Sequence, residues 1–120
     1  MSDCLFCAIV GGAVPSTAVL ETERCYAFRD INPAAPVHVL IVPKEHLGSV
    51  EDLGGGHAEL LADLFGAVRA VAAKEGIAES GYRVVTNVGE DAGQLVQHLH
   101  FHVLGGRSLR WPPKGSDAGG

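Results

Sequence analysis

The chain has 120 residues and a formal net charge of −5 with its histidines neutral, a length that fits one domain with a modest core and argues against a second. Its nine basic residues are scattered, so nothing reads as the footprint of a nucleic-acid polymer, although small nucleotides stay open; no apolar run approaches the ~20 residues of a membrane span. With no basic-then-apolar leader the expected location is cytoplasmic, where an odd count of three cysteines argues for reduced thiols or a metal over a disulfide framework.

Cys4-Leu5-Phe6-Cys7 comes first. That spacing lets two thiolates reach one tetrahedral zinc at ~2.3 Å each, yet it is half a site, and unligated thiols or a redox pair share it. A short helical turn leads into the loop Val10 to Ser16, and then Ala18-Val19-Leu20 and Cys25-Tyr26-Ala27-Phe28 predict two strands of a hairpin around residues 21–24. Cys25, alone within a strand, reads as packing. Asn32-Pro33-Ala34-Ala35-Pro36 has to be a turn, because prolines cannot donate to a ladder. Val37 to Val42 is a near-continuous apolar strand expected at the centre of a sheet. His38 interrupts it, either as a satisfied core residue or as the group that fixes the tautomer of an imidazole on a neighbouring strand.

From His57 to Lys74, the residues Leu60, Leu61, Leu64, Phe65, Val68, Val71 and Ala72 recur at three- and four-residue steps and predict the buried stripe of one long helix. Lys74 and Gly76 close it by charge and C-cap, and His57 opens it facing solvent. Gly54-Gly55-Gly56 lacks both the preceding strand and the Lys-Ser/Thr of a phosphate cradle, so it reads as a flexible connection. Residues 82–88 predict another strand. The loop after it carries Gly89 and Gly93, which let backbone N–H groups approach an anionic phosphate.

His98-Leu99-His100-Phe101-His102 follows. Alternation with period two predicts a strand from His98 to Leu104, with three imidazoles at intervals of roughly 6.5–7 Å on one face and Leu99, Phe101 and Val103 on the other. Three such rings together are costly unless they share protons, ligate metal or do chemistry. Trp111-Pro112-Pro113 lies beyond, and residues 114–120 are expected to be a disordered tail after a single domain spanning 1–113. Five strands and one long helix in this order predict an α+β domain with a largely antiparallel sheet.

The run from His98 to Leu104 resembles the signature of the histidine triad superfamily of nucleotide hydrolases and transferases. Phe28-Arg29-Asp30-Ile31, Pro36 to Lys44, Gly81-Tyr82-Arg83, Gly93-Gln94, Leu104-Gly105-Gly106-Arg107 and Trp111-Pro112-Pro113 resemble its branch of histidine triad nucleotide-binding proteins, over residues 3–113. The resemblance implies an HIT-like fold and a homodimer with a continuous central sheet. It further implies a structural zinc held by Cys4, Cys7, His46 and His98, and no organic cofactor. For the purine nucleotide it implies Asp30 on the ribose and Phe28 with Val14 around the base, with Leu40, Asn87, Gly93, Gln94, Leu95, Val96, His100 and His102 completing the site.

A neutral imidazole, with an unperturbed pKa of ~6.5, can attack phosphorus without a metal-activated water. His100 is the candidate nucleophile toward purine nucleoside phosphoramidates or related adenylyl or guanylyl conjugates, through a nucleotidyl-histidine intermediate. His98 and His38 are expected to orient and polarise it, and His102 with amides of the Gly93 loop to hold the phosphate oxygens. Leu95 departs from the pattern, since many relatives carry a hydroxyl residue there, so leaving-group protonation does not carry over. Asn87, where dinucleoside polyphosphate hydrolases place glutamine, turns the preference toward phosphoramidates. Hydrolysis of dinucleoside polyphosphates and nucleotide binding with incidental activity remain the alternatives.

Overall fold

The computed structural model describes residues 4–113, so the tail expected at 114–120 lies outside the described residues. The expected hairpin is formed by β1 (Ala18–Glu21) and β2 (Cys25–Arg29), and β3 (Val37–Pro43) pairs antiparallel with β2. The long helix α2 (Ala58–Lys74) comes next, followed by β4 (Tyr82–Val85) and β5 (Phe101–Gly105). The strand order β1-β2-β3-β5-β4 puts β3 at the centre, as its apolar run requires, and every pairing is antiparallel. With the short helix α1 (Leu5–Val10), this is the α+β architecture read from the sequence.

Alternation along the strands splits the core in two. Cys25, Ala27, Val39, Ile41, Phe101 and Val103 face α2, whose Leu60, Leu64, Val68 and Val71 pack on them, each worth about 1.5–3 kcal/mol when fully buried. On the opposite face Phe28, Leu40 and Val42 pack with Phe6 and Ile9 of α1, flanked by the partly buried Val10, Val14, Tyr26 and Val96, a smaller cluster than the one beneath α2. Within α2 the stripe is narrower than its spacing suggested. Ala67 is buried and Phe65 is 50% exposed, lying edge-on to Phe101 with ring centroids 5.7 Å apart. The Lys74 ammonium donates to the carbonyl of Val19 at 2.6 Å, tying the helix end to β1. Among the described residues no helix is long and apolar enough to cross a membrane.

Three expectations are corrected. β5 begins at Phe101, not at His98, because Pro43 has no N–H for a ladder and its carbonyl accepts from the His98 ring at 2.8 Å, while Leu99 N–H donates to Leu47 O at 2.6 Å. The alternation nevertheless continues through this stretch, since Leu99 joins Phe101 and Val103 in the α2 core. β4 ends at Val85, and the Thr86 hydroxyl turns to the His100 carbonyl at 2.8 Å. The glycine connection is a 3₁₀ turn, Gly55–His57, and His57 Nδ1 accepts the Gly54 N–H at 2.9 Å, so this ring is engaged and not simply solvated.

Candidate active site

Hydrogen bonds assign the tautomers of the buried histidines in sequence. A backbone N–H can only donate, so the 2.9 Å contact from Ala34 N makes His38 Nδ1 an acceptor and puts its proton on Nε2. That proton points at His102 Nδ1, 2.9 Å away. His102 must then carry its own proton on Nε2, a buried donor with no hydrogen-bond partner among the described residues. His100 has the reverse arrangement: Nδ1 lies 2.7 Å from the His98 carbonyl and must donate to it, leaving Nε2 as the lone-pair nitrogen. The two rings sit with centroids 5.1 Å apart. Arg107 reaches the carbonyl of Ala34, the residue whose N–H heads this series, at 3.2 Å.

Both rings line a cavity of about 400 Å³, a size ordinary for small-molecule sites. Of the residues expected around a nucleotide, Val14, Phe28, Asp30, Leu40, Leu95, Val96, His100 and His102 line it, together with His38. Asp30 Oδ1 accepts the Asn32 N–H at 2.8 Å, and Oδ2 lies 3.4 Å from His38 Nε2. Asn87, Gly93 and Gln94 are not in its lining. Gln94 donates to Gly48 O and Val96 O and accepts from Gly89 N–H, while the N–H groups of Gly93 and Gln94 bond Glu90 O and Gly89 O. The expected cradle of Gly-loop amides is therefore spent on bracing its own loop. His38 likewise bonds His102 and not His100, and His98 bears on His100 through its main-chain carbonyl, since its ring faces elsewhere.

Burial holds the His38, His98 and His100 rings below the usual imidazole range, and it pushes His102 down to about 3, helped by the neighbouring His100 and His38. The folded protein thus keeps His102 neutral where the unfolded chain, at an ordinary 6.5, takes up a proton. Its contribution to stability is complete above about pH 6.5 and is lost as the pH falls toward 3. Thermal melts between pH 7 and 4 are expected to show a Tm that drops more steeply in the parent than in His102→Gln. Parallel slopes would contradict a buried neutral ring.

The His98 ring belongs to a second cluster. Its Nε2–H donates to Pro43 O, so the Nδ1 lone pair faces Cys4 Sγ at 3.2 Å and Cys7 Sγ at 3.5 Å, while His46 Nδ1 lies 3.3 Å from Cys7 Sγ. The four ligand atoms fall within 4.8 Å of one another. Bonds of ~2.3 Å to sulfur and ~2.05 Å to nitrogen at a tetrahedral angle need S···N edges of about 3.5 Å, which these spacings match to within a few tenths of an ångström. The donor set fits a structural zinc.

Residues 12–109 match the HIT domain family. The chain belongs to the HIT family. It is 47% identical over 111 residues to an HIT-like protein of Synechococcus elongatus, covering 92% of this chain and 96% of that protein. It is 46% identical over 114 residues to the 14 kDa zinc-binding protein of Zea mays, covering 93% and 88%. Among solved structures, the HIT family hydrolase from Legionella pneumophila superposes with a TM-score of 0.90 at 46% identity, covering 93% of this chain and all of that one (100%). The HIT family hydrolase from Clostridium thermocellum gives 0.89 at 50% identity, covering 95% and 97%.

Several residues of this HIT site escaped the sequence reading. Leu5, Phe6 and Ile9 of α1 line the cavity, and Phe6 meets His100 edge-on at 5.0 Å. The only signal was the three-residue step from Phe6 to Ile9 inside a segment that drew notice for its cysteines. Ala34 acts through its backbone N–H and Thr86 through a hydroxyl that meets a backbone carbonyl, contacts that no side-chain pattern announces.

Proposed function

We propose that this HIT protein is a nucleotidyl hydrolase that cleaves purine nucleoside 5′-phosphoramidates or related adenylyl and guanylyl conjugates to the nucleoside monophosphate. The observation that carries this reading is the pairing, in one cavity, of a lone-pair nitrogen on His100 with an N–H on His102 that has no partner among the described residues. Nucleophile and oxyanion donor are thereby separate rings whose tautomers the fold holds apart.

In this mechanism His100 Nε2 forms a bond to the α-phosphorus while the bond from phosphorus to the leaving nitrogen breaks, and the leaving amine takes that electron pair together with a proton from solvent water, which regains one when water attacks in the second step. Positive charge then develops on the phosphorylated ring, and the His98 carbonyl, already accepting the Nδ1–H, stabilises it. His102 Nε2–H donates to a phosphate oxygen, an acceptor that ends its unpaired burial. Water attacks the nucleotidyl-histidine in the second step and returns the ring. Phe28, Val14 and Leu40 enclose the base, and Asp30 keeps lone pairs for the ribose hydroxyls beyond its bond to Asn32. Leu95, 84% exposed on the cavity lining, offers no side-chain proton to the leaving group. Its likeness to the Legionella and Clostridium proteins, both named HIT family hydrolases, supports hydrolysis.

A zinc held by Cys4, Cys7, His46 and His98 supplies a structural tie between α1 and the sheet when bound, and the name of the Zea mays relative supports that metal. Protein purified without chelator is expected to approach one zinc per chain by elemental analysis, and Cys4→Ser to lose both the metal and several degrees of Tm. We also assign a homodimer, for which β4 offers an open sheet edge, with the exposed Trp111 near the partner's cavity entrance.

Mixing the protein with adenosine phosphoramidate and quenching early tests the reaction. Mass spectrometry is expected to find an adenylyl group on the peptide carrying His100; an adduct on another residue, or AMP release with no adduct at any quench time, would overturn the covalent route.

A further inference from the structure

Two pieces of chain belong both to the Cys2His2 cluster and to the cavity. The first is α1, six residues long, too short to persist as a helix without tertiary support. Cys4 caps it and accepts the Cys7 N–H at 3.3 Å, so two of the four metal donors sit on its first turn. Between and just beyond them, Leu5, Phe6 and Ile9 form a wall of the cavity. Phe6 meets Phe28 at 5.6 Å, His98 at 6.0 Å and His100 at 5.0 Å, all edge-on. The second piece is His98. Its ring faces both thiols, while its carbonyl receives the Nδ1–H of His100.

We propose that metal occupancy of the Cys4, Cys7, His46, His98 cluster and nucleotide occupancy of the cavity are positively linked, each ligand tightening the other through α1 and His98. The inference rests on the zinc and nucleotide readings given above and adds a coupling between them. An ion joining Cys4 and Cys7 to His46 and His98 fixes α1 against the sheet, and with it Phe6 and the orientation of His100. A nucleotide entering afterwards meets an ordered wall and no longer bears the entropy of assembling it. Linkage makes the effect reciprocal: whatever factor the metal contributes to nucleotide affinity, the nucleotide returns to metal affinity. Two thiolates cancel the charge of a divalent ion, so the coupling works through order and is insensitive to salt, unlike a direct pull on phosphate.

The test measures AMP affinity by calorimetry on the zinc-loaded and zinc-stripped full-length chain, and zinc affinity by chelator competition with and without saturating AMP. Zinc is expected to tighten AMP about tenfold, within the usual span of coupling, and AMP to tighten zinc by the same factor, at low and moderate salt alike. Phe6→Ala keeps all four metal donors, so it should still bind zinc while the coupling factor falls toward one. If stripping unfolds the chain, His46→Gln replaces that arm, because it leaves Cys4, Cys7 and His98 and weakens the site without removing it. AMP affinity that then stays flat through a zinc titration counts against the linkage. Binding of both ligands with affinities independent to within about twofold overturns the linkage and leaves the hydrolase reading standing. A zinc-loaded chain that binds no AMP overturns both.

Discussion

His100→Ala is expected to release AMP from adenosine phosphoramidate more slowly than the parent by on the order of 10⁴ or more, while binding AMP to within a few-fold. The size follows from what is removed. Loss of the attacking atom closes the two-step route altogether, and what survives comes only from binding and the remaining donors. The phosphate donor His102 and the base enclosure of Phe28 and Leu40 stay in the cavity of the variant, so product affinity should persist. Steady-state kinetics with calorimetry on the same preparation separates the two. Turnover near the parental rate with intact AMP binding would remove His100 from the mechanism. Tight binding with negligible turnover in the parent itself would favour a nucleotide-binding module.

His102→Ala is expected to lower kcat by about 10² to 10³, the usual cost of one oxyanion donor, about 2.7–4 kcal/mol. KM for the same substrate should change less, because the donor matters most as charge builds on the phosphate oxygens. Among the described residues the His102 Nε2–H is buried without a partner, and its tautomer is imposed by Ala34 N–H through His38. Quenched samples of this variant should still contain the nucleotidyl-histidine, since the nucleophile is intact. A rate loss as deep as that of His100→Ala, with no trapped intermediate, would mean that the roles of the two rings have been exchanged.

Much of this architecture was legible before any coordinates. The hairpin, the central strand around His38, the long helix and the alternation that puts Leu99, Phe101 and Val103 on one face all follow from hydrophobic period and turn chemistry, and those are local properties. Element ends were less legible, for reasons visible at particular atoms. No periodicity announces that Pro43 O will take the His98 ring or that Thr86 will turn to the His100 carbonyl, yet these contacts stop β5 and β4. Phe65 shows the same limit. Its spacing places it on the buried stripe, but in the fold the ring meets Phe101 edge-on and half of it stays open.

By itself the sequence presented the residue types of the candidate site: three alternating imidazoles, a fourth in the central strand and a Cys-x-x-Cys pair, while the two histidines to set beside that pair came from the family resemblance. Only the tertiary structure decided which nitrogen of each imidazole carries the proton. Protonation of a neutral histidine ring is chosen by whichever backbone group happens to face it, and those groups come from far along the chain. Ala34 N–H makes His38 a donor to His102, the His98 carbonyl makes His100 a lone-pair base, and Pro43 O turns the His98 ring toward the thiols. The N–H groups of Gly89, Gly93 and Gln94 were settled in the same way, each by a partner inside its own loop.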